Sequence, residues 1–309
     1  MDATPSFSLP RDASNGMPPD PPTPTPIGPR TFQWGERTFV MGIINVTPDS
    51  FSGDGLLRGT RPPEALADAA LDQGRRMAEE GADLLDIGGE SSRPGHEPVD
   101  EDEELRRTLP IVEHLRDALP GIPLSIDTTK RRVAEAALDA GADLINDVWG
   151  VGEADDLPRL AADRAVPLVV MHNRAEARYR NVVAEVLADL QRALERALRL
   201  GVPWTALIVD PGIGFGKTPD QNLALLHELA MFRELGRPVL LGASRKSTIG
   251  HVLELPAHER LEGTLATTAL GIAAGVDIVR VHDVLANVRA ARMSDAVLRR
   301  DSRVRPRAP

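Results

Sequence analysis

Eight short apolar segments recur along the chain, and each of them runs into polar, charged or glycine residues. Short runs of Val, Ile and Leu that alternate with helical stretches are typical of parallel strands buried on both faces. The helical stretches show the expected 3.6-residue period, as in the apolar stripe between Val182 and Leu198. The eight predicted strands are Phe39–Ile44, Leu84–Ile87, Leu124–Ile126, Leu144–Ile145, Leu168–Met171, Leu207–Val209, Val239–Leu241 and Ile278–Val281.

This β-then-α order favours a closed α/β architecture, the (β/α)8 or TIM barrel, over a doubly wound open sheet. In such a barrel the residues that follow the strands face one common mouth, where catalysis takes place. The sequence therefore predicts a single domain over residues 31–298 with a site built from strand endings. These endings are Asn45, Gly88-Gly89-Glu90, Asp127, Asn146-Asp147, His172, Asp210, Ser244-Arg245-Lys246 and His282-Asp283.

The two ends of the chain lack this pattern. Residues 1–30 contain nine prolines and almost no periodic apolar residues, so we expect a disordered tail that cannot bury enough surface to offset its ordering entropy. Residues 31–38, around Trp34-Gly35-Glu36, resemble a hairpin that would plug the bottom of the barrel. The basic residues 299–309 are expected to fray.

Composition restricts the possible functions. The 309 residues include no cysteine, which excludes disulfides and thiolate metal sites. The formal net charge of −10 argues against a nucleic-acid partner and means that an anionic substrate needs a local cluster of cations. Because the sequence lacks a bilayer-length apolar run and a signal-peptide pattern, we expect a cytoplasmic protein without membrane contact.

Lysine is rare in this chain, with 3 lysines and therefore 33 arginines among the 36 basic residues. All three lysines, Lys130, Lys217 and Lys246, follow predicted strands. A lysine that persists in an arginine-rich chain is a candidate for a position where a compact ammonium group is needed. We predict a function for Lys246 and leave Lys130 and Lys217 open, because three lysines can also cluster at helix starts by chance.

Cations gather at the ends of the last two predicted strands. Arg280 and His282 are two residues apart, so they point to the same face of their strand. Arg245 and Lys246 approach from the neighbouring strand, just before a possible helix at Ser247. Arginine forks and helix N-termini together make good phosphate sites. The pattern therefore indicates an anion site in the mouth.

Acceptor groups are predicted opposite these cations. Asp127, Asn146 and Asp210 could accept hydrogen bonds from the ring NH and NH2 groups of a flat heterocycle. A divalent-metal site that includes a histidine, or salt bridges between loops, are alternative interpretations. Two long loops rich in Gly, Pro and Ser, Val46–Arg61 and Gly88–Val99, have the character of lids or binding loops.

A set of motifs extends across about residues 36–298. The motifs are Gly42-Ile-Ile-Asn-Val-Thr-Pro-Asp-Ser-Phe-Ser52, Asp86-Ile-Gly-Gly-Glu-Ser-Ser-Arg-Pro-Gly95, Ser125-Ile-Asp-Thr128, Asn146-Asp147, Asp210-Pro-Gly-Ile-Gly-Phe-Gly-Lys217, Ser244-Arg-Lys246 and Arg280-Val-His-Asp283. Together they resemble dihydropteroate synthase. The resemblance implies a TIM barrel that joins 4-aminobenzoate to 6-hydroxymethyl-7,8-dihydropterin diphosphate and releases pyrophosphate in folate synthesis. It also implies Mg2+, a homodimer and membership of the family that sulfonamides target.

The same resemblance implies roles for individual residues. The pterin would be bound by Asp127, Asn146, Met171, Asp210, Phe215, Gly242 and Lys246. The diphosphate would be bound by Asn45, Arg93, Arg280 and His282, with Mg2+ at Asn45. The 4-aminobenzoate would be bound by Phe51, Ser92, Arg93, Pro94, Lys246 and Ser247. The catalytic residues would be Lys246, Asp127, Arg280, His282 and Asp54.

Two segments depart from the family's usual pattern. The first long loop reads Ser50-Phe-Ser-Gly-Asp-Gly55 where Ser-Phe-Ser-Asp-Gly-Gly is usual, which displaces the loop acid to Asp54 and leaves its role open. Met171-His-Asn-Arg174 replaces the commoner Met-His-Met. The alternatives are a methyltetrahydrofolate:corrinoid methyltransferase, whose reaction involves no diphosphate, and a catalytically silent pterin-binding paralogue or scaffold.

Overall fold

A short hairpin precedes eight parallel strands in the computed structural model, which describes residues 21–46, 63–90, 99–152 and 154–299. The hairpin strands are β1 (Thr25–Ile27) and β2 (Arg30–Phe32), which pair antiparallel. The parallel strands are β3 (Phe39–Asn45), β4 (Leu84–Gly88), β5 (Leu124–Asp127), β6 (Leu144–Asp147), β7 (Leu168–Met171), β8 (Leu207–Asp210), β9 (Leu240–Leu241) and β10 (Ile278–Val281).

The eight strands form a nearly closed barrel. Their order is β8-β7-β6-β5-β4-β3-β10-β9, with every neighbouring pair parallel. An isolated parallel bridge between Val209 of β8 and Val239, the residue before β9, joins the two ends of this order. The (β/α)8 barrel expected from the strand pattern is therefore confirmed. Five strands extend past the predicted apolar segments and include polar or glycine endings such as Asp127 and Asp210.

Helices surround the barrel and follow most strands. Local signals set some of their starts: the Asp100 side chain accepts the Glu103 N–H at 2.8 Å, and Thr218 with Gln221 forms a capping box. No helix in the described part of the chain has both the length and the apolar composition to cross a bilayer. The helices are α1 (Pro63–Glu80), α2 (Glu101–Ala118), α3 (Arg131–Asp139), α4 (Asp156–Arg164), α5 (Val182–Arg199), α6 (Pro219–His227), α7 (Ser247–Leu253), α8 (Leu261–Ala273) and α9 (Val284–Leu298), with 3-10 turns at Trp204–Ala206, Leu229–Leu235 and Ala257–Glu259.

Successive side chains of each strand point alternately outward and into the barrel, which creates two apolar cores. One lies between the outer face of the barrel and the helices, and it contains alternate strand residues such as Leu85 and Ile87. The other lies inside the barrel at the end opposite the mouth, where the hairpin closes it. Its residues are Ile27, Phe32, Trp34, Phe39, Met41, Leu84, Leu144, Val169, Ile208, Leu240 and Ile278.

The N-terminal hairpin plugs the barrel bottom, but it lies earlier in the chain than predicted. Its strands span residues 25–32 rather than 31–38, and its turn contains Gly28, whose φ of +51° suits glycine. Residues 25–30, which we assigned to the tail, therefore belong to the plug. Ile27 is fully buried, and the Trp34 indole Nε1 donates to Thr25 Oγ1 at 3.0 Å. Residues 1–20 and 300–309 lie outside the described residues.

Candidate active site

The strand register places the predicted acceptors side by side at the barrel mouth. Asn45 pairs with Gly88, Gly88 with Asp127, and Asp127 with Asn146. Laterally paired residues of parallel strands face the same side, and their alternation with outward-facing apolar residues directs this row into the barrel. Asp127 and Asn146 are buried, whereas Asn45 is half-buried. Gly88 leaves space between the side chains of this row.

A chain of ion pairs connects these acceptors with Arg280. The guanidinium donates from Nε to Asp86 Oδ2 at 2.6 Å and from Nη2 to Asp127 Oδ2 at 2.7 Å. Asn146 Nδ2 donates to the same Asp86 oxygen at 3.1 Å. Arg280 and Asp127 thus contact each other directly rather than across the mouth, which corrects the predicted separation of cations from acceptors.

Asp86 belongs to this network of contacts, although its position in the sequence predicted no role for it. It is fully buried, and it lies in β4 between Leu85 and Ile87, which face the helices. Alternation alone directs its side chain into the barrel, one layer below Asp127. A carboxylate in the middle of a buried strand is itself the signal that could have identified it, since such a group needs charged or polar partners.

A second group of residues surrounds Gly242, where β9 gives way to the loop before α7. A Cβ atom placed on Gly242 would lie 3.6 Å from Asp210 Oδ2, 3.8 Å from Lys246 Nζ and 4.0 Å from Arg280 Cδ. Asp210 is buried at the end of β8 and is paired in register with Met171, which is also buried. Asp210 and Lys246, predicted for the pterin, and Arg280, predicted for the diphosphate, therefore lie together around this glycine.

Lys246 is held against the loop that follows β8. Its ammonium group donates to the Ile213 carbonyl and lies 4.2 Å from the centre of the Phe215 ring. Gly214 has a φ of +84°, and a Cβ there would lie 2.9 Å from Lys246 Cδ. Glycine at this position therefore lets the lysine side chain and the loop backbone approach each other.

Burial shifts the protonation of the charged groups in the mouth. Desolvation raises the pKa of Asp127 to about 7, although the positive charge of Arg280 lowers it. Desolvation also raises the pKa of Asp210, while the positive charge of nearby Lys246 lowers it. For Lys246, burial lowers the pKa to about 7. The pKa values of Asp127 and Lys246 thus lie near neutral pH, which is a property of many reacting sites.

The remaining predicted anion contacts border this group. His282 Nδ1 lies 3.0 Å from Ser244 Oγ, and both are at the mouth end of their strands. Ser247 is exposed at the start of α7. Arg245, expected near the anion, instead pairs with Asp283, with Nε to Oδ2 at 2.9 Å. Its guanidinium is thus already engaged by a carboxylate.

The two lysines left open have different surroundings. Lys130 contacts the carboxylates of Glu90 and Glu104, which joins the end of β4 to α2. Lys217 lies under the loop after β8 and contacts His172. Within the described ranges, no group of three or more His, Asp and Glu side chains is placed to hold a metal ion. Phe51, Asp54, Ser92, Arg93 and Pro94 lie outside the described residues.

Comparison with known proteins identifies relatives over most of the chain. Residues 41–282 match the family described as pterin binding enzyme. The dihydropteroate synthase of Clostridium beijerinckii is 48% identical over 275 residues, which cover 89% of this chain and 99% of that protein.

Solved structures give the same result. The dihydropteroate synthase of Clostridium difficile, crystallised in the presence of pteroic acid, has a TM-score of 0.81 and 45% identity, covering 87% of this chain and 99% of its own. The Xanthomonas albilineans dihydropteroate synthase with 4-aminobenzoic acid has a TM-score of 0.82 and 42% identity, covering 90% and 98%. Fold and sequence therefore indicate the same group of relatives.

Proposed function

The chain belongs to the dihydropteroate synthase family of pterin-binding enzymes, and we propose that its barrel mouth carries out that reaction. It would condense 6-hydroxymethyl-7,8-dihydropterin diphosphate with 4-aminobenzoate to give 7,8-dihydropteroate and pyrophosphate. The observation that supports this most directly is the convergence beside Gly242, where Asp210, Lys246 and Arg280 come within 4.0 Å of one point. An acceptor and two cations are thus close enough together to contact one small molecule.

The pterin would lie in this volume with its polar edge toward the buried acceptors. Asp127, Asn146 and Asp210 supply oxygen atoms for the NH and NH2 groups of the heterocycle. Burial makes such recognition selective, since a ligand without matching donors would leave these acceptors unpaired. Phe215 and Met171 would supply apolar contact with the flat ring, and Gly242 would leave room for it.

The diphosphate would extend toward the upper rim of the mouth. Arg280 and His282 lie on one strand face there, and Arg93 is predicted to join them. Asn45 carries an amide oxygen, a hard ligand of the type that Mg2+ prefers, and Mg2+ commonly takes its other ligands from substrate phosphates and water. The residues present therefore fit this ion, which would neutralise charge on the diphosphate when bound.

The chemical step would exchange two bonds at the exocyclic methylene carbon of the pterin. The bond from this carbon to the diphosphate oxygen breaks, and the arylamine nitrogen forms a new bond to the carbon and loses a proton. Arg280 and His282 would stabilise the charge that builds on the leaving pyrophosphate. Lys246 borders the pterin volume and, with Phe51, Ser92, Arg93, Pro94 and Ser247, would orient 4-aminobenzoate for attack. Asp54 is a further candidate from the first long loop.

We also propose that the protein forms a homodimer through the face of α8 and α9. Leu270, Met293 and Val297 are 67%, 66% and 59% exposed on these neighbouring helices. Contiguous exposed apolar side chains are typical of protein–protein contacts. Sedimentation should give the mass of two chains, and a Leu270→Glu, Met293→Glu double variant should give the mass of one. A monomeric wild-type protein would contradict this proposal.

The reaction can be tested with purified protein, the pterin diphosphate, 4-aminobenzoate and Mg2+, with pyrophosphate and dihydropteroate as readouts. We expect equal amounts of both products only when 4-aminobenzoate is present. Lys246→Met should reduce turnover by about 100-fold or more while the circular dichroism spectrum is unchanged. Pterin binding without product would indicate a silent paralogue and overturn the proposed reaction. Near-normal turnover of Lys246→Met would overturn the role proposed for Lys246.

A further inference from the structure

Lys217 is a half-buried lysine that the proposed reaction does not use. Its ammonium group lies 2.9 Å from the Gly212 carbonyl oxygen, 2.9 Å from that of Phe215 and 3.0 Å from His172 Nδ1. The His172 carbonyl oxygen is also within reach, at 3.3 Å. An ammonium group has three donors, and these are all directed at the loop after β8 and at the segment after β7.

The hydrogen bonds around His172 identify which ring nitrogen accepts. Its Nε2 lies 3.1 Å from Asp189 Oδ2 on α5, and Arg174 donates to the same oxygen at 2.7 Å. An ionised carboxylate only accepts, so Nε2 carries the ring proton and Nδ1 is left as the acceptor for Lys217. Burial also lowers the pKa of His172 to about 3, which keeps the ring neutral.

The loop held by Lys217 carries several of the proposed pterin contacts. The Gly212 N–H donates to Asp210 Oδ1 at 2.7 Å, which orients that carboxylate. The Ile213 carbonyl accepts from Lys246, and the Phe215 ring lies beside the Lys246 ammonium group. One loop conformation therefore sets the position of a carboxylate, an aromatic ring and a lysine together.

This conformation needs an anchor because it relies on left-handed backbone geometry that favours glycine, the most flexible residue. Gly212, Gly214 and Gly216 have φ values of +69°, +84° and +55°. A Cβ on Gly212 would lie only 1.8 Å from the His172 carbonyl oxygen, so the loop backbone packs directly on the segment after β7. A glycine-rich segment has many alternative conformations, and the Lys217 contacts select one of them.

We propose that Lys217 is a positioning residue for the pterin: it ties the loop of residues 210–217 to His172 and so orders Asp210, Phe215 and Lys246 before substrate binds. This inference rests on the proposed function, because it assigns Lys217 to the binding of that substrate. It predicts that loss of the ammonium group weakens pterin binding far more than it affects 4-aminobenzoate.

The first test compares Lys217→Met with a matched control in the full chain. Methionine keeps the unbranched shape of the side chain and removes every donor. The control is Arg116→Met, because Arg116 also donates to backbone carbonyls, including Gly141 O at 2.7 Å, but does so at the barrel bottom. We expect Lys217→Met to raise the KM for pterin diphosphate on the order of tenfold or more, the effect of leaving one buried carbonyl unpaired.

The control separates positioning from general stability. Arg116→Met should lower the midpoint of urea unfolding while both KM values remain within about threefold of wild type. In Lys217→Met, the KM for 4-aminobenzoate should change much less than that for pterin diphosphate. An unchanged pterin KM in Lys217→Met, or equal changes in both KM values, would overturn the inference.

A pair of His172 variants tests the contact itself. His172→Asn places an amide oxygen near the position of Nδ1 and keeps the acceptor for Lys217, whereas His172→Gln places its amide group near Nε2 and loses that acceptor. We therefore expect a pterin KM near wild type for His172→Asn and a value resembling that of Lys217→Met for His172→Gln. The reverse order would overturn the assignment of His172 Nδ1.

Direct binding of 7,8-dihydropteroate by calorimetry keeps this inference separate from the proposed function. A wild-type protein that does not bind the pterin would overturn both. Wild-type binding with equal affinity in Lys217→Met would overturn the positioning role alone. Tight wild-type binding that weakens about tenfold in Lys217→Met, and not in Arg116→Met, is the result that the structure predicts.

Discussion

Replacing Asp86 with asparagine tests the ion-pair chain in the mouth. The carboxylate is fully buried, and its Oδ2 accepts from Arg280 Nε at 2.6 Å and from Asn146 Nδ2 at 3.1 Å. A hydrogen bond to a charged group contributes about 1.5–3 kcal/mol, and breaking a buried ion pair costs about 3–5 kcal/mol when a charge is left unpaired. Arg280 would keep Asp127, so we expect the free energy of unfolding to fall by about 2–3 kcal/mol.

The substitution is suited to this measurement because it preserves shape. An asparagine amide oxygen can replace Oδ2, and its NH2 group would take the place of Oδ1, which accepts no hydrogen bond from the described residues. The observed loss would therefore report the missing charge rather than a cavity. Urea titration should show a lower midpoint with an unchanged slope, since the surface exposed on unfolding is the same.

A double-mutant cycle with Arg280→Met isolates the pair. If the two side chains interact as the 2.6 Å contact indicates, the double variant should be more stable than the sum of the single losses predicts, by roughly 1 kcal/mol or more. Additivity within about 0.5 kcal/mol would refute the assigned interaction. The variants that carry Arg280→Met should also bind the pterin diphosphate more weakly, because they lose a proposed diphosphate ligand.

Three further predictions follow from the described contacts. Because burial raises the pKa of Asp127 to about 7 from its usual 3.8, the native state holds a proton that the unfolded chain releases between those values. The wild type should therefore lose stability relative to Asp127→Asn as the pH rises from about 4 to 7. Urea titrations at several pH values measure this difference in unfolding free energy, and a difference that does not change with pH would contradict the prediction. Gly242→Ala should leave the unfolding midpoint unchanged, because the methyl group fits without clash. It should raise the pterin Kd by about tenfold, because the methyl group occupies space proposed for the ligand. Calorimetric binding at wild-type affinity would contradict this prediction. Deleting residues 1–20 should preserve the unfolding free energy, whereas deleting 1–30 removes buried Ile27 and should lower it by about 2–5 kcal/mol in urea titrations; equal stability of the two truncations would contradict the plug.

Much of the barrel could be predicted from local pattern. Apolar segments two to six residues long identified all eight strands, because strands buried on both faces are rich in Val, Ile and Leu. The residues after these segments located the mouth, and Asp127, Asn146 and Asp210 were found there because carboxyl ends of parallel strands share one edge. The hairpin was misplaced because Ile27 and Phe32 are isolated apolar residues among prolines, and their burial depends on the open barrel bottom beneath them.

Other features depended on contacts between residues distant in the chain. Asp86 and Arg280 are separated by 194 positions, and only closure of the barrel brings Nε within 2.6 Å of the carboxylate. The roles of Lys130 and Lys217 were undecided for the same reason, since both follow strands but one contacts carboxylates and the other contacts backbone carbonyls and His172.

The sequence by itself determined the periodicity, the alternating β/α order that favours a barrel and the set of polar residues at the strand ends, because each of these follows from local spacing. The tertiary structure decided which of those residues are partners. It joined Arg280 to the acids that we had placed opposite it, and it placed Lys217, whose role we had left open, beneath the loop after β8. Pairing of charges depends on distances of a few ångströms across the barrel, which no local spacing along the chain encodes.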